Sequence, residues 1–138
     1  MVALAEGRVD NIVARHVVDT TTPEETLTKI VEWLKENSKD KPFHALGIAS
    51  FGPVDLDPDS TTYATHPLPI LSNVLLRYGF ITTTPKPGWG QTDVLGAFKC
   101  FECPKGFDTD VNGAAIAQAA YGNHRYFAYL FYTASPPP

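Results

Sequence analysis

At 138 residues, with 43% hydrophobic and 19% charged content, the chain is long enough for one domain with a real core and is too apolar for a disordered segment. A formal net charge of −4 leaves no basic stripe for a nucleic-acid or anionic-membrane partner. No apolar run is long enough to span a membrane, and Met1-Val2-Ala3-Leu4-Ala5 is too short and uncharged for a signal peptide, so a cytoplasmic protein is the expectation.

Met1 to Ala5 and the β-branched Asn11 to Val18 flank a Glu6-Gly7-Arg8 turn and predict a hairpin. A lone hairpin is marginally stable, so its sheet needs further strands. Thr22-Pro23-Glu24-Glu25 is a capping-box pattern, with Thr22 as cap, Pro23 at the first helical position and Glu25 three residues on. Leu27, Ile30, Val31 and Leu34 follow at helical spacing, which predicts an amphipathic helix to about Asn37 with Glu24, Lys29, Glu32 and Lys35 in solvent.

Phe43 to Ser50 is nearly continuous in apolar residues and predicts a strand buried on both faces, with His44 as a strand-edge or hydrogen-bonded core residue. It ends in Phe51-Gly52-Pro53-Val54-Asp55, where small residues either let a backbone approach a ligand or mark a tight turn. Ile81 to Thr84 predicts a short strand, and Pro85-Lys86-Pro87-Gly88-Trp89-Gly90 a rigid loop. Trp89 there is a core anchor or a sugar-stacking platform, and spacing favours the anchor. A short helix is predicted over Thr92 to Lys99. Cys100 and Cys103 form a single C-x-x-C with no second ligand pair, which reads as two thiols without a shared function rather than a redox or zinc site.

The most informative stretch is Gly106-Phe107-Asp108-Thr109-Asp110-Val111-Asn112-Gly113-Ala114-Ala115. It predicts a strand entering a helix through an acidic turn, with Asp110 at or near the N-cap. A cap is the simpler role for Asp110, and a catalytic base at the mouth of a cleft is the other. Strands alternating with helices make the fold class α/β. No G-x-G-x-x-G or Walker-type loop is present.

Three segments in order, Gly47 to Asp55, Thr82 to Trp89 and Gly106 to Ala115, resemble the ROK family of sugar kinases, its fructokinase branch most closely. The resemblance covers residues 2–122 and implies a partial N-terminal lobe of an actin-like (ribonuclease-H-like) ATPase fold. It implies transfer of the γ-phosphoryl group of ATP, with magnesium, to fructose, giving fructose 6-phosphate. Asp110 matches the family's catalytic aspartate, the base for the sugar hydroxyl. Thr109 stands where relatives often have a sugar-binding Asn, and Gly52 and Thr84 lie where relatives approach the ring. An aspartate is ionised at neutral pH and suits a reaction that consists mostly of positioning and charge stabilisation.

The chain also departs from the family pattern. The Gly-Gly-Thr-Lys-type turn that faces the ATP phosphates is not seen before Met1, and neither the adenosine-binding Gly-Thr-Gly motif nor the zinc-binding Cys/His cluster follows Gly122. Residues 64–78 interrupt the resemblance. Deleting those 15 residues restores Asp-Ser-Thr-Thr-Tyr-Gly-Phe-Ile-Thr, which suggests a translated intron in frame, or an ordinary surface insertion. Residues 123–138 read as an unrelated tail, and the uncharged Phe127 to Tyr132 as an aggregation hazard. The expectation is an incomplete, inactive kinase fragment. The alternative is a non-catalytic sugar-binding or interaction module, and self-association through a surface that faces the other lobe is a further expectation.

Overall fold

In the computed structural model, residues 1–38, 42–59, 61–63 and 74–122 are described. Strands β1 (Val2–Ala5) and β2 (Ile12–His16) form the expected antiparallel hairpin, with Val2 opposite His16 and Leu4 opposite Ala14. Gly7 supplies the positive φ, 75°, that its turn requires. Among the described residues this pair gains no third strand. It is supported instead by packing of Val2 and Leu4 against the hydrophobic core.

Helix α1 (Pro23–Asn37) begins where the capping pattern predicts. Thr22 Oγ1 accepts from Glu25 N–H at 3.3 Å, and Pro23 occupies the first turn, where its missing N–H costs nothing. The box is closed from one side only. The Glu25 carboxylate does not return to Thr22 but takes the Thr21 hydroxyl at 2.7 Å and the Lys29 ammonium at 2.6 Å. Thr26, buried inside the first turn, accepts from Thr21 N–H at 2.9 Å and donates to the Asp19 carbonyl at 3.3 Å. Leu34 is buried and Leu27, Ile30 and Val31 pack beside it, while Glu24, Lys29, Glu32 and Lys35 stay in solvent.

Strand β3 (Leu46–Ser50) is shorter than Phe43 to Ser50 and is not buried on both faces. Leu46 and Ile48 turn to the core, whereas Gly47 and Ala49 are exposed, because the strand has the core on one side only. Phe43 precedes the strand and packs its ring 5.5 Å from that of Phe101, and His44 is exposed. Strands β4 (Thr61–Tyr63) and β5 (Val74–Leu76) pair antiparallel with Tyr63 opposite Val74. The expected insertion over 64–78 thus lies outside the described residues up to 73, and the expected tail over 123–138 lies outside them entirely.

Strand β6 (Phe80–Ile81) stops before Thr82, and β7 (Thr92–Asp93) pairs with it. On its other edge Thr82 extends the Val54–Ile81 bridge, its N–H and hydroxyl both donating to the Pro53 carbonyl at 2.8 and 3.1 Å, while on the β7 side it meets Gln91, whose φ of 62° ends the extended run. The short helix α2 (Val94–Ala97) starts two residues later than Thr92 and is capped by Asp93, whose Oδ1 accepts from Gly96 N–H at 2.7 Å. Strand β8 (Lys105–Thr109) runs parallel to β3 and leads directly into helix α3 (Asp110–Tyr121).

The core comprises Leu34, Ile81, Trp89, Val94, Phe98, Phe101 and Phe107. Each fully buried side chain of this size stabilises by roughly 1.5–3 kcal/mol relative to exposure. Trp89 is a core anchor. It is 4% exposed, its Nε1 donates to the Thr21 carbonyl at 2.8 Å, and its ring meets Phe51 edge-on at 5.0 Å. The architecture is mixed α/β, with β3–β8 as the parallel pair among the described residues. Among the described residues, no helix is long and apolar enough to cross a membrane.

Candidate functional site

Parallel strands present their carboxyl ends on the same side, where ligands of open α/β sheets bind. The β3–β8 register sets Ser50 against Thr109, so the segment after β3 and the start of α3 leave the sheet together. A Cβ on Gly52 would lie 2.9 Å from the backbone nitrogen of Val54 and 3.9 Å from Thr109 Cγ2, which leaves room only for hydrogen there. The Gly52–Pro53 peptide is cis.

On the other side of this junction, Thr109 is the N-cap of α3, and Asp110 is its first helical residue. Asp110 is thus near the N-cap, as expected, while the cap itself is Thr109. Thr109 has the extended backbone that a cap requires (φ −70°, ψ 155°), and its Oγ1 accepts from Asn112 N–H at 3.1 Å. Asp110 is exposed. Its Oδ1 accepts from Val111 N–H at 2.9 Å, and Oδ2 has no partner among the described residues. The partial positive charge of a helix N-terminus favours an anion at this position. A free carboxylate oxygen held by the first turn of a helix is suited to take a proton from a bound hydroxyl.

Two residues outside the sequence-based site complete the turn. Half-buried Asp108 uses Oδ1 to accept both the Thr109 N–H at 2.7 Å and the Asn112 side-chain amide at 2.8 Å. The signal for this pair was the i, i+4 spacing of an acid and an amide across a strand-to-helix junction, a pattern that local capping also produces.

Thr84 belongs to the loop that follows β6. Its Oγ1 accepts from Lys86 N–H at 3.3 Å, and among the described residues it makes no hydrogen bond to Gly52, Thr109 or Asp110. Its loop is tied to the site's edge through Thr82 and Pro53. The loop's cation is engaged too, since Lys86 Nζ lies 4.2 Å from the centre of the Phe51 ring.

Among the described residues, no three His, Cys, Asp or Glu side chains come together to hold a metal, and Cys100 and Cys103 are free thiols. Asp108 Oδ1 is already shared between two donors and Asp110 is exposed, so a magnesium ion at this turn would need water and nucleotide oxygens for most of its ligands.

The sequence matches the ROK family over residues 2–134. It is 46% identical over 108 residues to a fructokinase of Zymomonas mobilis subsp. mobilis, covering 76% of this chain and 31% of that protein. It is 39% identical over 106 residues to a fructokinase of Pediococcus pentosaceus, with 76% and 30% covered. With a fructokinase of Lactococcus lactis subsp. cremoris the identity is 35% over 121 residues, with 87% and 35% covered. The chain thus spans about a third of the length of the curated relatives it matches.

Proposed function

Because this chain belongs to the ROK family, we propose that it carries the sugar-facing part of a fructokinase, within the N-terminal lobe of an actin-like fold. In the whole protein, Asp110 accepts the proton of a fructose hydroxyl as that oxygen bonds to the γ-phosphorus of ATP and the bond to the β–γ bridging oxygen breaks, giving fructose 6-phosphate and ADP. Thr109 binds a sugar hydroxyl, Gly52 lets the backbone come close to the ring, and Thr84 lines the ring from its loop. The observation that supports this most is the meeting of Gly52, Thr109 and Asp110 at the carboxyl ends of β3 and β8.

Phosphoryl transfer needs the acceptor hydroxyl and the phosphoryl donor aligned between two walls, because catalysis is mainly positioning. The described residues form one wall, and Asp110 is open on its outer side. The chain spans about a third of the length of its fructokinase relatives, and we assign to it the sugar-facing half-site without the nucleotide-facing one. Residues 64–78 are an insertion within it, and β5 pairing back onto β4 is what the stem of such an insertion would look like.

Calorimetry with fructose on the soluble chain, together with a product assay in ATP, magnesium and fructose, tests both statements. Millimolar fructose binding that weakens in Asp110→Ala, with no fructose 6-phosphate above a no-enzyme control, is the expected result. Absence of heat at millimolar sugar would overturn the sugar-facing assignment, and product above the control would overturn the half-site assignment.

A further inference from the structure

Asp108 belongs to β8, opposite Ala49 of β3, and its place is therefore fixed by the parallel ladder. From that fixed point Oδ1 holds two groups of the turn that follows, the Thr109 N–H and the Asn112 side-chain amide. Asn112 in turn donates its own N–H to Thr109 Oγ1. Strand, cap and third helical residue are thereby linked around the one peptide segment that carries Asp110.

This linkage decides the polarity of the site. A threonine hydroxyl has one proton to give and two lone pairs. The Asn112 N–H occupies a lone pair of Thr109, whereas the hydroxyl proton has no acceptor among the described residues. Beside it, Asp110 offers an acceptor in Oδ2. One donor and one acceptor side by side complement an alcohol group, which itself both gives and takes a hydrogen bond.

We infer that Asp108 and Asn112 are positioning residues, which hold Thr109 as donor and Asp110 as acceptor toward a single hydroxyl of a polyol ligand. The inference rests on the sugar-facing reading of Thr109 and Asp110 given above. Asp108 acts as the acceptor of both bonds through Oδ1, and its negative charge strengthens them; a neutral amide oxygen in its place would keep the geometry with weaker bonds.

The full chain tests this in four variants: Asp108→Ala, Asn112→Ala, the double variant, and Asp108→Asn, which keeps an acceptor oxygen. Fructose affinity should fall about tenfold in each single alanine variant and no further in the double, because residues of one network do not add. Asp108→Asn should recover affinity to within about threefold of the parent, as expected where a retained acceptor oxygen preserves the position of the turn although the bonds are weaker. Parent-like affinity in both alanine variants would overturn the inference, and so would an Asp108→Asn variant as weak as Asp108→Ala. A parent chain that gives no heat with fructose would sink the sugar-facing reading by itself. Amide exchange at Val111 and Asn112 then decides on the clamp. Faster exchange in the alanine variants with parent-like exchange in Asp108→Asn supports it, and equal exchange in all overturns it.

Discussion

Helices α1 and α3 both start at a threonine cap, yet one buries a face and the other buries none. α1 separates its residues by helical period, with Leu34 and Thr26 inside and its charges in solvent. α3 is mostly apolar, with Asp110, Asn112 and Gln118 as its polar residues, and it leaves Val111, Ile116 and Tyr121 at 70%, 59% and 55% exposure. A helix so largely apolar is the kind that ordinarily lies within a larger body. Among the described residues, α3 is held by its first turn and by a close approach to β3, whereas α1 is held by the core. The site therefore rests on the less buried of the two helices, and small changes at a few contacts should move it.

Removing the anchor of α1 should produce the largest effect. Trp89→Ala empties a buried indole position and leaves the Thr21 carbonyl without its donor, at the residue before the α1 cap. Core Trp-to-Ala changes cost roughly 3–5 kcal/mol, a large share of the roughly 5–15 kcal/mol that keeps an ordinary domain folded. Thermal melts followed by circular dichroism should lose their cooperative transition or shift it strongly downward. A loss below about 1 kcal/mol, the scale of a surface change, would break the distinction between an anchored α1 and a loosely seated α3.

The seat of α3 should respond differently. A Cβ on Gly113 would lie 2.8 Å from Ala49 Cβ, closer than packed carbons tolerate, so Gly113→Ala must lift or tilt the helix. Alanine is also better than glycine in a helix interior by about 1 kcal/mol, which opposes the cost of the contact. Net stability should then change by less than about 1 kcal/mol in either direction, since the two effects offset each other. Fructose binding should nonetheless weaken, because Thr109 and Asp110 travel with the helix. Calorimetry and a melt on the same sample separate the two effects, and parent-like binding would show that this contact does not set the site.

The same contrast explains what was legible beforehand. Local chemistry announced α1, since Thr22, Pro23 and four apolar residues at helical spacing all agree, and the hairpin of β1 and β2 was legible for the same reason. The acidic turn was found as well, but its cap fell on Thr109 and not Asp110, because either side chain can cap and only the backbone angles decide. The β3–β8 pairing that creates the site was not legible, as it joins residues separated by more than half the chain's described length. The stretch of threonines at 82–84 promised more strand than formed, because the facing β7 begins only at Thr92, after Gln91 with its φ of 62°. Asp108 and Asn112 escaped notice as a pair since their bond depends on the angle between β8 and α3.

The smallest effect should come from the exposed face of α1, and it depends on pH. The hydrogen bond from Lys29 holds the Glu25 carboxyl below the ordinary glutamate range, and the Thr21 hydroxyl bond adds to this. The folded state therefore prefers the ionised form more than the unfolded chain does. That preference contributes stability at pH values above the unfolded glutamate value of about 4.3, and the contribution is lost as pH falls through the lower folded value. Asp10, held low by the Arg8 guanidinium, adds a loss of the same sign. Comparison of the parent with Glu25→Gln isolates Glu25, because Asp10 is present in both. The variant should melt slightly lower at neutral pH, by an amount that high salt reduces, as for any exposed ion pair. As pH falls through the folded Glu25 value, the Glu25–Lys29 share of that gap should close. A gap that stays constant from neutral to acid pH would mean that the pair contributes through packing or helix propensity and not through its charge.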